Sequence, residues 1–255
     1  MPHDDLDHAC DLQAPARRIV SLVPSLTEAI AAVDPTTLVG VTDWCTYPAD
    51  LTAQRIRGTK NPNTSSIVQL APDLVIANQE ENRELDVRRL REAGLQVWVT
   101  RIETLDEAFV SLRRMFTEAL LWGVPDWLVE AERVWSAPPS SARLRVAVPI
   151  WRDPWMVVGS RTFTADLLGR LGCEVLPAVS VDRYPTMTPM EIQALEPDAI
   201  LLPDEPYVFT QDDGPEAFGS TPTRLVKGRY LTWYGPSLVL ARTHLEQTLD
   251  SVAHR

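Results

Sequence analysis

The sequence predicts an α/β protein of two lobes, each built on a parallel sheet, joined by a helical linker and leaving a cleft between them. Three observations predict this. One motif occurs twice: Ile67-Val68-Gln69-Leu70-Ala71-Pro72-Asp73 runs into Leu74-Val75-Ile76-Ala77, and Glu191-Ile192-Gln193-Ala194-Leu195-Glu196-Pro197-Asp198 runs into Ala199-Ile200-Leu201-Leu202. Each copy follows an apolar run, from Arg18 or from Arg145, and a Tyr-Pro pair, Tyr47-Pro48 or Tyr184-Pro185. Second, short β-branched runs alternate with segments of helical period, the pattern of a parallel sheet with helices on both faces. Third, residues 104–142 show helical spacing and no strand pattern, which separates the halves. The expected boundaries are a disordered amino-terminal tail over 1–17, a first lobe over 18–103, the linker over 104–142 and a second lobe over 143–255.

The elements follow in order. Arg18 to Val23 is a short apolar run ending at Pro24, which suits a buried strand. Ser25 and Glu28 have the spacing of a capping box for a first helix. Leu38 to Val41, Leu74 to Ala77 and Val97 to Thr100 are further strands, and Asn78 is placed to cap a helix running from about Glu80 to Ala93, stopped by Gly94. In the linker, Leu105, Ala108, Phe109, Leu112, Phe116 and Leu120 recur at helical spacing. Pro125 starts a second helix through Trp135, ended by Pro138-Pro139-Ser140-Ser141. Arg145 to Ile150, Glu174 to Leu176 and Ala199 to Leu202 are the strands of the second lobe, covered by helices over 163–171 and 236–253.

Composition excludes several classes of function. The chain of 255 residues has a net charge of −11, against nucleic acid or an anionic membrane as partner. The basic residues between Arg83 and Arg91 alternate with acids, as on a solvated helix face. No apolar run reaches the length of a membrane span. Three cysteines (Cys10, Cys45, Cys173) at unpaired spacings give no disulfide framework, and Cys45 and Cys173 read as small buried hydrophobes. The first residues lack a signal-peptide pattern, so the expected location is cytoplasmic, or extracytoplasmic if the start codon is mis-assigned and hides a leader.

With these motifs in order, the chain resembles the helical-backbone (class III) substrate-binding proteins of ABC importers, the group of vitamin B12- and siderophore-binding receptors. The resemblance rests on Arg18-Ile19-Val20-Ser21-Leu22-Val23-Pro24-Ser25-Leu26-Thr27-Glu28, on Gly40-Val41-Thr42-Asp43 before Tyr47-Pro48, on Pro72 to Ala77, and on Leu168 to Cys173 and Glu191 to Leu202. It covers about residues 18 to 245. Gly58-Thr59-Lys60-Asn61-Pro62, Ala77 to Arg83, Trp151-Arg152-Asp153-Pro154-Trp155-Met156, Leu202 to Tyr207 and Trp233-Tyr234-Gly235 are similar to a leaderless branch of helical-backbone metal receptors. The resemblance implies Rossmann-like lobes, no intrinsic cofactor, and a corrinoid, siderophore or haem as cargo. It also implies a permease partner docked through a glutamate ahead of each Pro-Asp turn. Ser65 stands at the first of those positions, and Met190 beside Glu191 at the second.

Ligands of open α/β sheets sit outside the carboxyl ends of the strands. Those ends run into Glu81 and Arg83 in the first lobe and into Glu205 and Tyr207 in the second. Asn78 and Glu81 equally suit helix capping, and Asp204 a proline turn. Trp98, Trp122, Trp127 and Trp135 read as packing residues, whereas Trp44, Trp151, Trp155 and Trp233 lie in loops and offer flat faces to a macrocycle. Tyr47, Tyr184, Tyr207 and Tyr234 add phenols, and Lys60 a cation. The expected ligand-binding set is Trp44, Tyr47, Lys60, Glu81, Arg83, Trp151, Trp155, Tyr184, Glu205, Tyr207 and Trp233. Direct metal ligation is not expected, because His3, His8 and His254 lie in the tails and His244 on the last helix. The chain therefore reads as a binding protein. The alternatives are an enzyme using Glu81 and Glu205 as acid and base, and a cytoplasmic interaction or regulatory protein.

Overall fold

The computed structural model describes residues 1–138 and 144–253, so Pro139 to Ser141, the expected 142/143 boundary and His254 lie outside the described residues. The chain divides into two compact units. One holds Met1–Ile102, Asp106–Glu132 and Tyr234–Pro236, the other Glu103–Leu105, Arg133–Trp233 and the segment from Ser237 onward.

The first unit runs β1 (Ile19–Ser21), α1 (Pro24–Ala31), β2 (Leu38–Val41), β3 (Gln54–Arg55), α2 (Thr64–Gln69), β4 (Leu74–Asn78), α3 (Glu84–Glu92) and β5 (Val97–Thr100). Its sheet is parallel, in the order β3-β2-β1-β4-β5. Every residue of β1, β4 and β5 is buried, the condition of parallel strands covered on both faces. The Pro-Asp turn fixes how β4 meets β1. The Asp73 carboxylate accepts from the backbone N–H of Arg17 and Arg18, both at 2.9 Å, and the Asp73 N–H donates to the Arg18 carbonyl at 2.8 Å. The Arg18 guanidinium donates to the carbonyls of Leu70 and Ala71, which end α2.

The linker region is two helices, α4 (Leu105–Arg114), continued by a π-turn over Met115–Ala119, and α5 (Asp126–Trp135), which starts just after Pro125 as expected. The second unit then runs β6 (Leu144–Ala147), β7 (Pro149–Trp151), β8 (Met156–Val157), α6 (Phe163–Arg170), β9 (Cys173–Leu176), α7 (Pro189–Ala194), β10 (Ala199–Pro203), β11 (Thr223–Val226), α8 (Gly228–Thr232) and α9 (Leu238–Ala253). Its parallel sheet has the order β11-β10-β6-β9. Taken from its other edge this is β9-β6-β10-β11, the same path as β2-β1-β4-β5, so the sequence repeat is a repeat of topology. The turn repeats too: the Asp198 carboxylate accepts from Arg145 N–H at 2.7 Å, and Arg145 caps the Glu196 carbonyl at 2.9 Å. The core of this unit gathers Trp155, Val157, Ile200, Leu202, Phe209 and Phe218.

Three expectations are corrected. Residues 1–17 are not a loose tail. Asp4 is 3% exposed, its carboxylate accepts from the N–H groups of Leu6, His8 and Val99 and pairs with Arg91, and Asp5 N–H donates to the Val99 carbonyl. The segment thus covers edge strand β5, whose open groups need partners. Ser25 does not cap α1: Pro24, with its fixed φ, is the first helical residue, Val23 is the extended residue before it, and Ser25 and Glu28 are buried. Finally, α3 starts at Glu84, because the Asn78 side chain draws the N–H groups of Glu80 and Glu81 into a turn at 2.8 and 3.2 Å.

Asp73→Ala is expected to lower stability by about 1–3 kcal/mol, since backbone donors lose a charged acceptor. Asp198→Ala should cost less, because Asp198 is exposed. Urea unfolding of the two variants checks the order.

Candidate functional site

In the first unit the polar groups gather where β2, β3 and β4 end. The loop after β2 presents Trp44, 64% exposed, and Tyr47, 42% exposed, above a fixed base. That base is Cys45, fully buried, 3.1 Å from the hydroxyls of Thr27 and Thr42. From beneath, the Arg55 guanidinium donates to the carbonyls of Thr42 and Cys45 at 2.9 and 2.7 Å. Gly58 leaves room for the indole: a Cβ there would stand 3.2 Å from Trp44 Nε1. Burial pushes the Cys45 thiol up, and the side chain is fully packed inside.

After β4, Asn82 ties three segments together. Its side-chain amide donates to the carbonyls of Leu22 and Thr59 at 3.2 and 3.0 Å, and its oxygen accepts from Asn78 N–H at 2.9 Å. This holds Lys60 and Glu81 on neighbouring loops, where the Lys60 ammonium donates to the Glu80 carbonyl. Burial raises the Glu81 carboxyl above the ordinary range, with Lys60 working to lower it and Glu80 to raise it. Arg83 is exposed at the start of α3, and its carbonyl accepts from Asp86 and Val87.

In the second unit the corresponding ends carry aromatic rings. The Trp151 ring, 43% exposed, meets Tyr207 edge-on at 5.8 Å. Tyr207 lies 4.7 Å from Phe209. Trp155 is only 8% exposed; it stacks on Phe209 at 5.7 Å and meets Phe218 edge-on at 5.1 Å, so it is a core residue and its ring is not offered to a ligand. Trp233, at the end of α8, is 7% exposed and likewise interior. Pro154 beside Trp155 and Gly235 two residues after Trp233 mark loops, a signal that says nothing of burial. Tyr184 is half-buried beside β8, whose Val157 N–H donates to the Pro185 carbonyl. Glu205 packs closely on Gly228, where a Cβ would stand 2.3 Å from its Cγ. Asp204 accepts from Gly228 N–H at 2.7 Å and pairs with Lys227 at 3.0 Å, so it fixes the strand end. Arg152 and Asp213, absent from the expected set, join this cluster through side chains.

Two concave surfaces lie apart from these loops. One, of about 580 Å³, lines the seam between the amino-terminal segment and α4, where Asp5 is held by Arg114, Ser111 and Arg101 N–H. The other, of about 620 Å³, flanks α6, where Asp166 accepts from Leu105 N–H and pairs with Arg170. Asp5 and Asp166, with the groups they bind, hold segments together there. Among the described residues no cluster of three or more His, Cys, Asp or Glu is placed to hold a metal ion, and no helix is long and apolar enough to cross a membrane. Ser65 is exposed on α2 and Met190 on α7, while the Glu191 carboxylate caps α7 through Thr188.

Glu81→Gln tests the strand-end environment. A carboxyl raised by folding stabilises the folded state fully only below its unfolded pKa, and that contribution is lost as pH rises through the folded value. The Glu81→Gln variant, which does not ionise there, should therefore gain thermal stability relative to the parent as pH rises from about 4 to about 7. A Tm difference that does not change with pH would refute the buried-carboxyl reading.

No family model matches the chain. The vitamin B12-binding protein of Pectobacterium carotovorum is 25% identical over 252 residues, 93% of this chain and 90% of the relative. The Vibrio cholerae vitamin B12-binding protein is 37% identical over 95 residues, 36% of this chain and 34% of the relative. Among solved structures, the periplasmic haem-binding protein RhuT of Roseiflexus sp. RS-1 matches with a TM-score of 0.77 at 22% identity, covering 93% of this chain and 99% of that one. Helicobacter pylori CeuE with Ni(II) bound matches at 0.81 and 13% identity, covering 98% and 89%. The periplasmic vitamin B12-binding protein BtuF of Vibrio cholerae matches at 0.74 and 19%, covering 94% and 99%. Topology and the doubled Pro-Asp turn give the chain the two-lobed α/β fold of these solved binding proteins, and its sequence is similar to the vitamin B12-binding proteins along nearly its whole length.

Proposed function

We propose that the protein binds a small-molecule metal chelate, a cobalamin-type corrinoid first and a ferric siderophore or haem next, through the strand-end loops of its lobes. The observation that carries this reading is Trp44: a large indole left 64% exposed on a loop that hydrogen bonds hold rigid from below. An exposed aromatic on a fixed base buries much area on a flat ligand and loses little entropy in doing so. Tyr47, Lys60, Glu81 and Arg83 supply polar anchors in that lobe, and Trp151, Tyr184, Glu205 and Tyr207 in the other.

Relatives named for binding vitamin B12, and structural neighbours named for haem and nickel, support cargo of this class. They favour binding over catalysis by Glu81 and Glu205. The metal stays within its chelate, consistent with a site made of aromatic, amide and carboxylate groups. The periplasmic setting named for solved neighbours supports an extracytoplasmic place of action. Against a permease partner stands Ser65, which occupies the first docking position in place of a glutamate, while Met190 holds the second with Glu191 adjacent.

Calorimetric and visible-absorbance titrations with cyanocobalamin, haem and a ferric hydroxamate siderophore test the proposal. At least one should bind, and Trp44→Ala should raise its Kd roughly 3- to 10-fold, the worth of one aromatic contact. Absence of heat and of any spectral change with all three would sink it.

A further inference from the structure

We propose that Arg152 and Asp213 are positioning residues, which lock the Trp151–Tyr207 ring pair in the orientation that meets the ligand. This rests on the binding function proposed above. Arg152 follows Trp151 in the turn of the β7–β8 ribbon, and Tyr207 and Asp213 belong to the loop after β10. The Tyr207 hydroxyl donates to Asp213 Oδ2 at 2.7 Å. The other oxygen, Asp213 Oδ1, accepts from Arg152 Nη1. The same nitrogen donates to Glu216 Oε1 at 2.5 Å, and Glu216 Oε2 accepts from Gly214 N–H at 2.6 Å. The guanidinium carbon sits 5.4 Å from the Trp155 ring centre, which braces it on the core. With the edge contact from Trp151 to Tyr207 at 5.8 Å, the chain of contacts closes on itself.

Energetics argue that this ring of contacts serves something other than stability. Arg152 is 26% exposed, Asp213 39% and Glu216 49% by side chain, and ion pairs so placed contribute little to folding. The core beneath is complete without them, in Trp155, Phe209 and Phe218. What the network does accomplish is to remove rotamer freedom from the exposed Trp151 ring and the half-buried Tyr207 ring beside it. Ordering a side chain at the moment of binding weakens affinity by a factor of roughly 2 to 10, so rings ordered in advance spare that loss. The loop that carries Asp213 is shaped for the task. Gly214 has a φ of +122°, and a Cβ there would stand 2.6 Å from Phe209 Cδ1, so only glycine brings the loop this close to the aromatic core.

The bond also defines what Tyr207 offers. Its proton is committed to Asp213, which holds the phenol above its ordinary pKa. Tyr207 therefore presents a ring face and an oxygen lone pair, suited to an apolar or N–H-bearing rim of a ligand, and it does not present a phenolate.

The test compares Asp213→Ala, Arg152→Gln, Tyr207→Phe and the Tyr207→Phe/Asp213→Ala double variant with the parent, using cyanocobalamin, haem and the ferric hydroxamate siderophore as probes. Each single variant should raise Kd roughly 3- to 10-fold with Tm nearly unchanged, and the double variant should be no worse than the poorer single one. With 5-fluorotryptophan incorporated, and the resonance of position 151 assigned by Trp151→Phe, the ¹⁹F signal should show faster ring motion in Asp213→Ala without ligand. Parent-like Kd in the single variants, or fully additive losses in the double, overturns the proposal. So does an unchanged ring signal, whether or not a probe binds. If the parent itself binds none of the probes, the binding function is what fails, an outcome read from the parent alone.

Discussion

The structure depends on a carboxylate that holds one strand to the beginning of another. Parallel strands are distant in sequence, and a one-residue slip between them would send every side chain to the opposite face of the sheet. In the first unit Asp73 prevents the slip by accepting from Arg17 and Arg18 N–H while its own N–H donates to Arg18. The pairing Ile19 to Leu74 follows directly. In the second unit Asp198 does the same with Arg145, and Val146 is set against Ala199. The residue two before each aspartate, Ala71 or Glu196, has positive φ, an uncommon state for a side-chain-bearing residue. Its carbonyl is held in both units by the arginine that begins the central strand. Helix end, reversal and register are thereby fixed at one point.

Fixing the start of β4 and β10 also fixes where they end, and there the two units diverge. At the end of β4 the connections are amides: Asn78 folds Glu80 and Glu81 into a turn, and Asn82 reaches Leu22 and Thr59. At the end of β10 they are a carboxylate and aromatic rings: Asp204 secures Gly228, and Tyr207 and Phe209 pack towards Trp155. The copies share a scaffold and differ in what the scaffold displays at its strand ends.

Much of this was legible in the sequence, for a physical reason. Fully buried parallel strands are short, uninterrupted apolar runs, so β1, β2, β4, β5 and β10 announce themselves, and the Pro-Asp pair marks the turn before β4 and β10. The edge strands β3 and β11 and the ribbon strand β8 do not, because Gln54-Arg55, Thr223-Arg224 and Met156-Val157 carry no such run. Among the residues proposed for the site, Trp44, Tyr47, Trp151 and Tyr207 stand at strand-end loops, as the pattern of strands implies. Trp155 and Trp233 mislead because a tryptophan beside a turn residue packs inward as readily as outward, and only the tertiary fold decides. Arg152 and Asp213 were invisible in a different way. Each is an ordinary charged loop residue, and their relation to Tyr207 exists only once β7 and the loop after β10 are side by side.

The same economy governs the exposed rings of each unit. A large flat ring that stays exposed on a fixed base can bury much area on contact while losing little freedom. Trp44 sits above a buried Cys45 and an Arg55 whose guanidinium is directed at backbone carbonyls. Trp151 leans on a Tyr207 whose hydroxyl is committed to Asp213. In both cases polar side chains that could have been solvated are used to immobilise an apolar one that remains exposed. For the flat ligand proposed above, folding would bear in advance the ordering that binding otherwise imposes, and the rings would lose little on contact. Such an arrangement suits capture of a large rigid molecule, for which the protein's gain lies in buried area and not in reshaping itself around the cargo.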